Sequence, residues 1–223
     1  GTNRIVARRY PDATILPLST GTNNVFPVFV EASIAGAAAG IIASKQLQLE
    51  QTCIRCKQIH LLTDQVDSSR ADIALIDAVL LKNDELGSLL PFSADHLSTL
   101  VLTRAEPASV GLSPVGGYLD ACGHHDDFGL VVECAKLGKT KVTVPISPGL
   151  WQEVGVKDFK RIQLDTTISV SGAGILAFDG DRSIGLGQSE TALLKVCRDG
   201  PWIIEPDIIM HTAAAKGLLS RRA

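Results

Sequence analysis

Ser19, Thr20, Gly21, Thr22, Asn23 and Asn24 stand together between apolar stretches, and their types suit one task, the holding of an anion. Residues 13–18 read as a short buried strand, and a helix is predicted over 25–44, with Pro27 tolerated in its first turn. A strand, a tight turn and a helix N-terminus leave backbone N–H groups without partners, pointing at whatever lies ahead. Gly21 lets the backbone approach a ligand closely. The hydroxyls of Ser19, Thr20 and Thr22 add donors, and Asn23 or Asn24 can cap the helix. A nucleotide is the natural guest of such a turn.

Other clusters carry weaker chemistry. Cys53, Cys56 and His60 imitate a metal-ligand spacing, but a structural zinc takes four ligands, usually from two such pairs, and the sequence has no second Cys-x-x-Cys. On a strand Cys53 and Cys56 would also face opposite sides. They read as ordinary thiols, and no metal site is expected there. The densest group, Cys122-Gly-His-His-Asp-Asp127, lies in a loop before a predicted strand over 129–134. It offers contacts for a phosphate, a sugar or a divalent ion, although adjacent residues seldom converge on one metal, and a solvated loop is the simpler reading. Asp72 and Asp77 have an odd spacing on a strand predicted over 71–82, which puts them on opposite faces, and they read as structural. Asp179-Gly180 reads as a hairpin turn.

The elements that must position these residues fall into two patterns. Residues 3–9 predict a helix, Pro11-Asp12 a turn, and residues 32–40 are almost all small, which gives a flat helix face suited to close packing. From about Gln51 the chain changes to short runs rich in Val, Ile and Thr, over 52–63, 71–82, 99–104, 129–134, 141–144, 160–164, 167–171, 174–178 and 191–198. A further strand over 183–188 would follow the Asp179-Gly180 turn. Their spacing predicts an all-β second domain. Ser147-Pro148-Gly149-Leu150 reads as a turn, residues 208–221 as an amphipathic helix, and Arg221-Arg222 as a solvated end.

Composition narrows the classes. The chain has 223 residues, 45% of them hydrophobic, enough to bury a substantial core. A net charge of -3 and an aromatic content of 4% argue against nucleic acid as a partner and against a membrane surface. No apolar run reaches transmembrane length and no signal peptide opens the sequence. Five cysteines fit reduced thiols in a cytoplasmic setting better than a disulfide framework.

Leu16-Pro-Leu-Ser-Thr-Gly-Thr-Asn-Asn24 resembles the second nucleotide-contacting motif of the superfamily that joins NAD kinases, diacylglycerol kinases and sphingosine kinases, whose lipid-kinase form reads L-P-x-G-T-x-N-D before a helix. Gly1-Thr2-Asn3-Arg4 resembles the tail of that superfamily's G-G-D-G-T signature. The run Ser19-Thr-Gly-Thr-Asn-Asn-Val-Phe-Pro27 ahead of an alanine-rich helix is similar to the acetoin-catabolism protein X group, an NAD-kinase-like branch.

The resemblance implies an α/β plus all-β fold. A partial α/β nucleotide-binding domain would cover residues 1–48, a β-sandwich residues 49–205, and residues 206–223 would form a helix returning to the first domain. The rest of the α/β domain, with the aspartate held to be the base in NAD kinases, would lie upstream of Gly1. Gly1, Thr2, Thr20, Gly21, Thr22, Asn23 and Asn24 would contact the nucleotide, with ATP and Mg2+ as cofactors. In the lipid-kinase branch an acidic residue of a D-G-E element takes the base role. Phe178-Asp179-Gly180-Asp181 matches that element, with Asp181 in place of the glutamate.

Phosphoryl transfer needs positioned phosphates, a metal, and a group to take the acceptor proton. The expected function is therefore ATP-dependent phosphorylation of a hydroxyl on NAD or a related metabolite. The competing expectation is a nucleotide-binding or regulatory module without turnover. Ser147-Pro148-Gly149-Leu150, similar to the group's A-P-G-L element, would line the acceptor site, and relatives are commonly homo-oligomers.

Overall fold

The structure, a computed structural model, describes residues 2–19, 29–62, 72–82 and 94–220. It divides into two compact units, Gly1–Cys56 with Asp199–Ala223, and Lys57–Arg198.

In the first unit, helix α1 (Thr2–Arg9) leads to strand β1 (Thr14–Ile15), then to helices α2 (Ala32–Ala43) and α3 (Leu49–Thr52) and strand β2 (Cys53–Arg55). The chain's last strand, β14 (Trp202–Ile204), lies parallel to β1 and antiparallel to β2, and helix α5 (Pro206–Ala215) follows it. Ala35, Ala38, Ile41 and Ile42 recur at helical spacing and form the buried stripe of α2. The last three of these pack with Ile209 and Ala213 of α5 and with Cys53 and Ile204.

Two helix boundaries differ from expectation. Among the described residues α2 begins at Ala32, because the Glu31 carboxylate caps it by accepting the Ser33 N–H at 2.8 Å. An acid there satisfies an orphan donor and suits the positive end of the helix dipole. Helix α5 stops at Ala215 rather than continuing to 221. Gly217 (φ +70) turns the chain, its N–H bonding the Ala214 carbonyl while the Leu218 N–H bonds that of Ala213. That pair of bonds is a Schellman cap, which a left-handed glycine permits.

The second unit is β-rich. Its strands are β3 (Gln58–Leu62), β4 (Ile73–Ala74), β5 (Asp77–Leu81), β6 (Leu97–Leu102), β7 (Phe128–Cys134), β8 (Thr140–Ser147), β9 (Leu150–Gln163), β10 (Thr167–Ser171), β11 (Gly174–Phe178), β12 (Arg182–Leu186) and β13 (Thr191–Cys197), with one short helix, α4 (Ser113–Gly117). They form a four-stranded sheet, β10-β13-β3-β4, and a seven-stranded sheet, β12-β11-β5-β6-β7-β9-β8.

The strand period of two sorts the side chains of the larger sheet between two cores. Ala78, Leu80, Val101, Val131, Leu176 and Phe178 pack with Ile59, Leu61, Leu194 and Val196 of the smaller sheet. Their neighbours Val79, Leu81, Leu100, Leu102, Leu130 and Val132 point the other way, into a second core that includes Val115 of α4. Strands buried on both faces read as continuous apolar runs, which is why 99–104 and 129–134 stand out in the sequence.

Four predicted strands take a different form. Residues 52–63 are split between β2 and β3, which belong to different sheets. Residues 71–82 bend at Leu75 and Ile76 into β4 and β5. Residues 141–144 and 160–164 are parts of the long β8–β9 hairpin, in which Ser147 pairs with Leu150 around the Pro148-Gly149 turn. The exposed faces of β9 carry Lys157, Asp158, Lys160 and Arg161, and this polarity hides the strand from a hydrophobic pattern.

Candidate functional site

The turn between β11 and β12 brings Asp179 and Asp181 close to Asp77. Asp179 and Gly180 both have left-handed backbones (φ +48 and +67), and the Asp181 N–H donates to the Phe178 carbonyl at 3.1 Å. Asp-Gly is the pair that tolerates this geometry, so the hairpin read from the sequence is present.

Its chemistry exceeds that of a turn. The Asp179 carboxylate accepts the N–H groups of Leu75 and Ile76, each at 2.8 Å, and that of Asp77 at 3.2 Å. These bonds take up backbone donors at the bend between β4 and β5. The carbonyls of the same bend are held by Thr103, whose hydroxyl donates to Leu75 at 2.6 Å and whose N–H donates to Ile76 at 2.9 Å. The bend in 71–82 therefore has a cause. A side chain remote in sequence supplies the hydrogen bonds that a continuous ladder would otherwise provide.

Asp77 opens β5 immediately beside this clamp. Its carboxyl is pushed up to about 8, by burial first and then by the charges of Asp179 and Asp181. At neutral pH it therefore keeps its proton. Asp72 lies outside this group. Its buried carboxylate accepts the Ile73 N–H at 2.9 Å and pairs with Arg182 at 2.9 Å, so it anchors β12. Asp181 is exposed at the head of the hairpin. The arrangement thus presents an exposed carboxylate on a hydrogen-bonded turn, beside a carboxyl that keeps its proton at neutral pH.

The loop of residues 122–127 is ordered by two cations. Arg198 donates to the carbonyls of His124 and Asp126, at 2.9 and 2.8 Å, and pairs with Asp127 at 2.8 Å. Lys57 reaches the loop from the other end, donating to Gly123 and Phe128 carbonyls at 2.9 and 2.7 Å. Inside the loop the Gly123 N–H bonds Asp126 at 2.8 Å, and the His124 and His125 rings lie 3.9 Å apart. A solvated loop was the simpler expectation. These bonds fix its backbone while leaving its carboxylates outward.

Few of the remaining expected residues fall among the described ones. Thr2 is exposed in the first turn of α1. Gly1, Thr20, Gly21, Thr22, Asn23 and Asn24 lie outside the described residues, as do Pro27, Arg221 and Arg222. Cys53 and Cys56 are buried in the first unit, whereas His60 belongs to β3 of the second. Ser147 to Leu150 form a hairpin tip. Sequence reasoning missed the role of Asp179 and the burial of Lys57. The Asp-Gly dipeptide signalled the first only as a turn.

No described helix is long and apolar enough to cross a membrane. Residues 57–199, which coincide with the β-rich unit, match the model of the family described as acetoin catabolism protein X C-terminal domain. The acetoin catabolism protein X of Cupriavidus necator is 32% identical over 194 residues, covering 85% of this chain and 54% of that protein. The chain thus spans about half the length of this curated relative. The solved structure of yeast NADH kinase complexed with NADH aligns over 94% of this chain and 60% of its own, with a TM-score of 0.52 and 14% identity, a likeness of fold alone.

Proposed function

Because the chain belongs to the acetoin catabolism protein X family, and its fold is NAD-kinase-like, we propose that it serves an ATP-dependent small-molecule kinase that phosphorylates a hydroxyl of NAD or a related metabolite. The observation that carries this reading is the Asp179 clamp. It immobilises the turn so that Asp181 stands exposed at a fixed place, as a group that takes a hydroxyl proton must.

In this reading Asp181 takes the acceptor proton, Asp77 keeps a neutral carboxyl beside it, and Asp179 holds both in place without touching substrate. Thr2 and residues 20–24 hold the nucleotide phosphates through N–H and hydroxyl donors. Magnesium supplies charge neutralisation on the phosphates when bound.

The test is ATP-dependent formation of NADP from NAD, on the chain extended upstream to the full length of its relatives. Turnover that falls in Asp181→Asn supports the reading. Turnover unchanged in that variant overturns the assignment of Asp181.

A second reading rests on the same position. Aspartate there is shorter than the glutamate of the lipid-kinase element, and a nucleotide-binding regulatory protein linked to acetoin catabolism has no need of the longer side chain. ATP binding by the full-length protein, with no phosphorylated product across a panel of hydroxyl-bearing metabolites, would favour it.

A further inference from the structure

Lys57 is 1% exposed, the largest fully buried side chain among the described residues, and its surroundings are unusual for a lysine. The amine Nζ sits 3.2 Å from the Sγ of Cys122, which is itself 0% exposed. Two carbonyls complete its shell, Gly123 at 2.9 Å and Phe128 at 2.7 Å. An ammonium has three donors, and here it meets three acceptors, one of them a thiol sulfur.

Both partners are held by backbone. Lys57 immediately precedes β3, which is paired along its length with β13. Cys122 forms an isolated bridge with Ala105, with N–H to carbonyl distances of 2.8 and 2.9 Å in the two directions. The Cys122 thiol also donates to the Phe128 carbonyl at 3.1 Å, the same oxygen that accepts from Lys57. Neither atom can swing far away, so the nitrogen–sulfur contact persists.

Burial pulls the Lys57 amine below its usual range and pushes the Cys122 thiol up, while each group's charge works against that shift in the other. Desolvation thus increases the share of neutral, nucleophilic amine, while the charge of Lys57 limits the rise of the thiol. None of the five cysteines is in a disulfide, so Cys122 would enter the reaction as a thiol.

We propose that Lys57 and Cys122 form an oxidative modification site, in which a peroxide converts the pair into a covalent sulfenamide cross-link. The Cys122 sulfur attacks hydrogen peroxide, breaking the O–O bond and giving a sulfenic acid and one water. The Lys57 nitrogen then attacks that sulfur, the S–O bond breaks, and a second water leaves with a proton from the amine. One thiol, one amine and one peroxide give one S–N bond and two waters. Sulfur is oxidised by two electrons and the peroxide is reduced by two. Sulfenic acids are known to condense with nitrogen in this way, and a thiol can reverse the bond.

The link would fasten the 122–128 segment to the start of β3 covalently, where it is now held by hydrogen bonds. This inference is independent of the kinase reading, because the pair lies among residues to which that reading gives no role.

The test treats the folded protein with hydrogen peroxide, then denatures it, alkylates free thiols and digests it with trypsin for peptide mass mapping. The expected product is a peptide pair joined through Lys57 and Cys122, lighter than the sum of its parts by two hydrogens. It shows no cleavage after Lys57 and separates with dithiothreitol. In Cys122→Ser, cleavage after Lys57 should be normal with or without peroxide. If that variant does not fold, the native protein still decides. Recovery of Cys122 as an alkylated thiol, as a sulfinic or sulfonic acid, or in a disulfide, with normal cleavage after Lys57, overturns the proposal. A bridge heavier by one oxygen overturns the direct S–N bond.

Discussion

The carboxylate of Asp179 accepts the backbone N–H of Ile76 at 2.8 Å, although the two residues are 103 positions apart in the chain. With the parallel bond to Leu75 and the longer one to Asp77, this contact joins the β11–β12 turn to the bend between β4 and β5. The ionised oxygen atoms therefore do structural work at the place where Asp181 is displayed.

Replacing Asp179 with alanine should remove charge-assisted hydrogen bonds and leave buried N–H groups unmatched. The expected loss of unfolding free energy is about 3 kcal/mol, readable in a urea titration. A loss below about 0.5 kcal/mol would show that water takes over these donors without penalty. If the full-length protein is a kinase, the same variant should also lose activity, because the turn that carries Asp181 is no longer held.

Asp77 gives a pH dependence of definite sign. Its carboxyl keeps its proton up to about 8 in the fold, against the ordinary 3.8 once unfolded. Between those values the folded state binds more protons, so this group's contribution is full below 3.8 and is lost as pH rises through about 8. Asp77→Asn should remove that decline. Its stability relative to the parent should therefore grow with pH across the window, in paired denaturation curves. Parallel curves would mean that the proton is not held in the fold.

Gly155 of β9 sits against the Ala135 carbonyl, and its own carbonyl accepts the Ala135 N–H at 2.9 Å. A Cβ there would collide with backbone that cannot rotate away. Gly155→Ala should cost roughly 2 kcal/mol or more and lower the thermal midpoint by several degrees. Wild-type stability in that variant would contradict the close approach of the two segments.

Binding and turnover should separate in the full-length protein. Asn23→Ala is expected to weaken nucleotide binding by roughly tenfold, the worth of one hydrogen bond. Asp181→Asn should leave binding unchanged and reduce turnover by about 100-fold or more, as loss of a general base does. Calorimetric binding alongside steady-state rates checks both, and two unaffected variants would remove both residues from the site.

Most of the strands, and the change to a strand-rich pattern from about Gln51, are legible in the sequence. The predicted runs 99–104 and 129–134 overlap β6 and β7, strands whose two faces are both buried, and so they show in composition alone. The Asp179-Gly180 turn was legible as well, since a left-handed backbone selects those residue types. The exposed strand β9 was only partly legible, because its charged face breaks the pattern. Only the tertiary structure decided where 71–82 bends, that Asp179 is its clamp, that Asp77 keeps a proton, and that Lys57 is buried against Cys122. Each of these depends on a partner far away along the chain. Local propensity describes what a segment can do alone, whereas a hydrogen bond between residues 76 and 179 exists only once the sheets have brought them together.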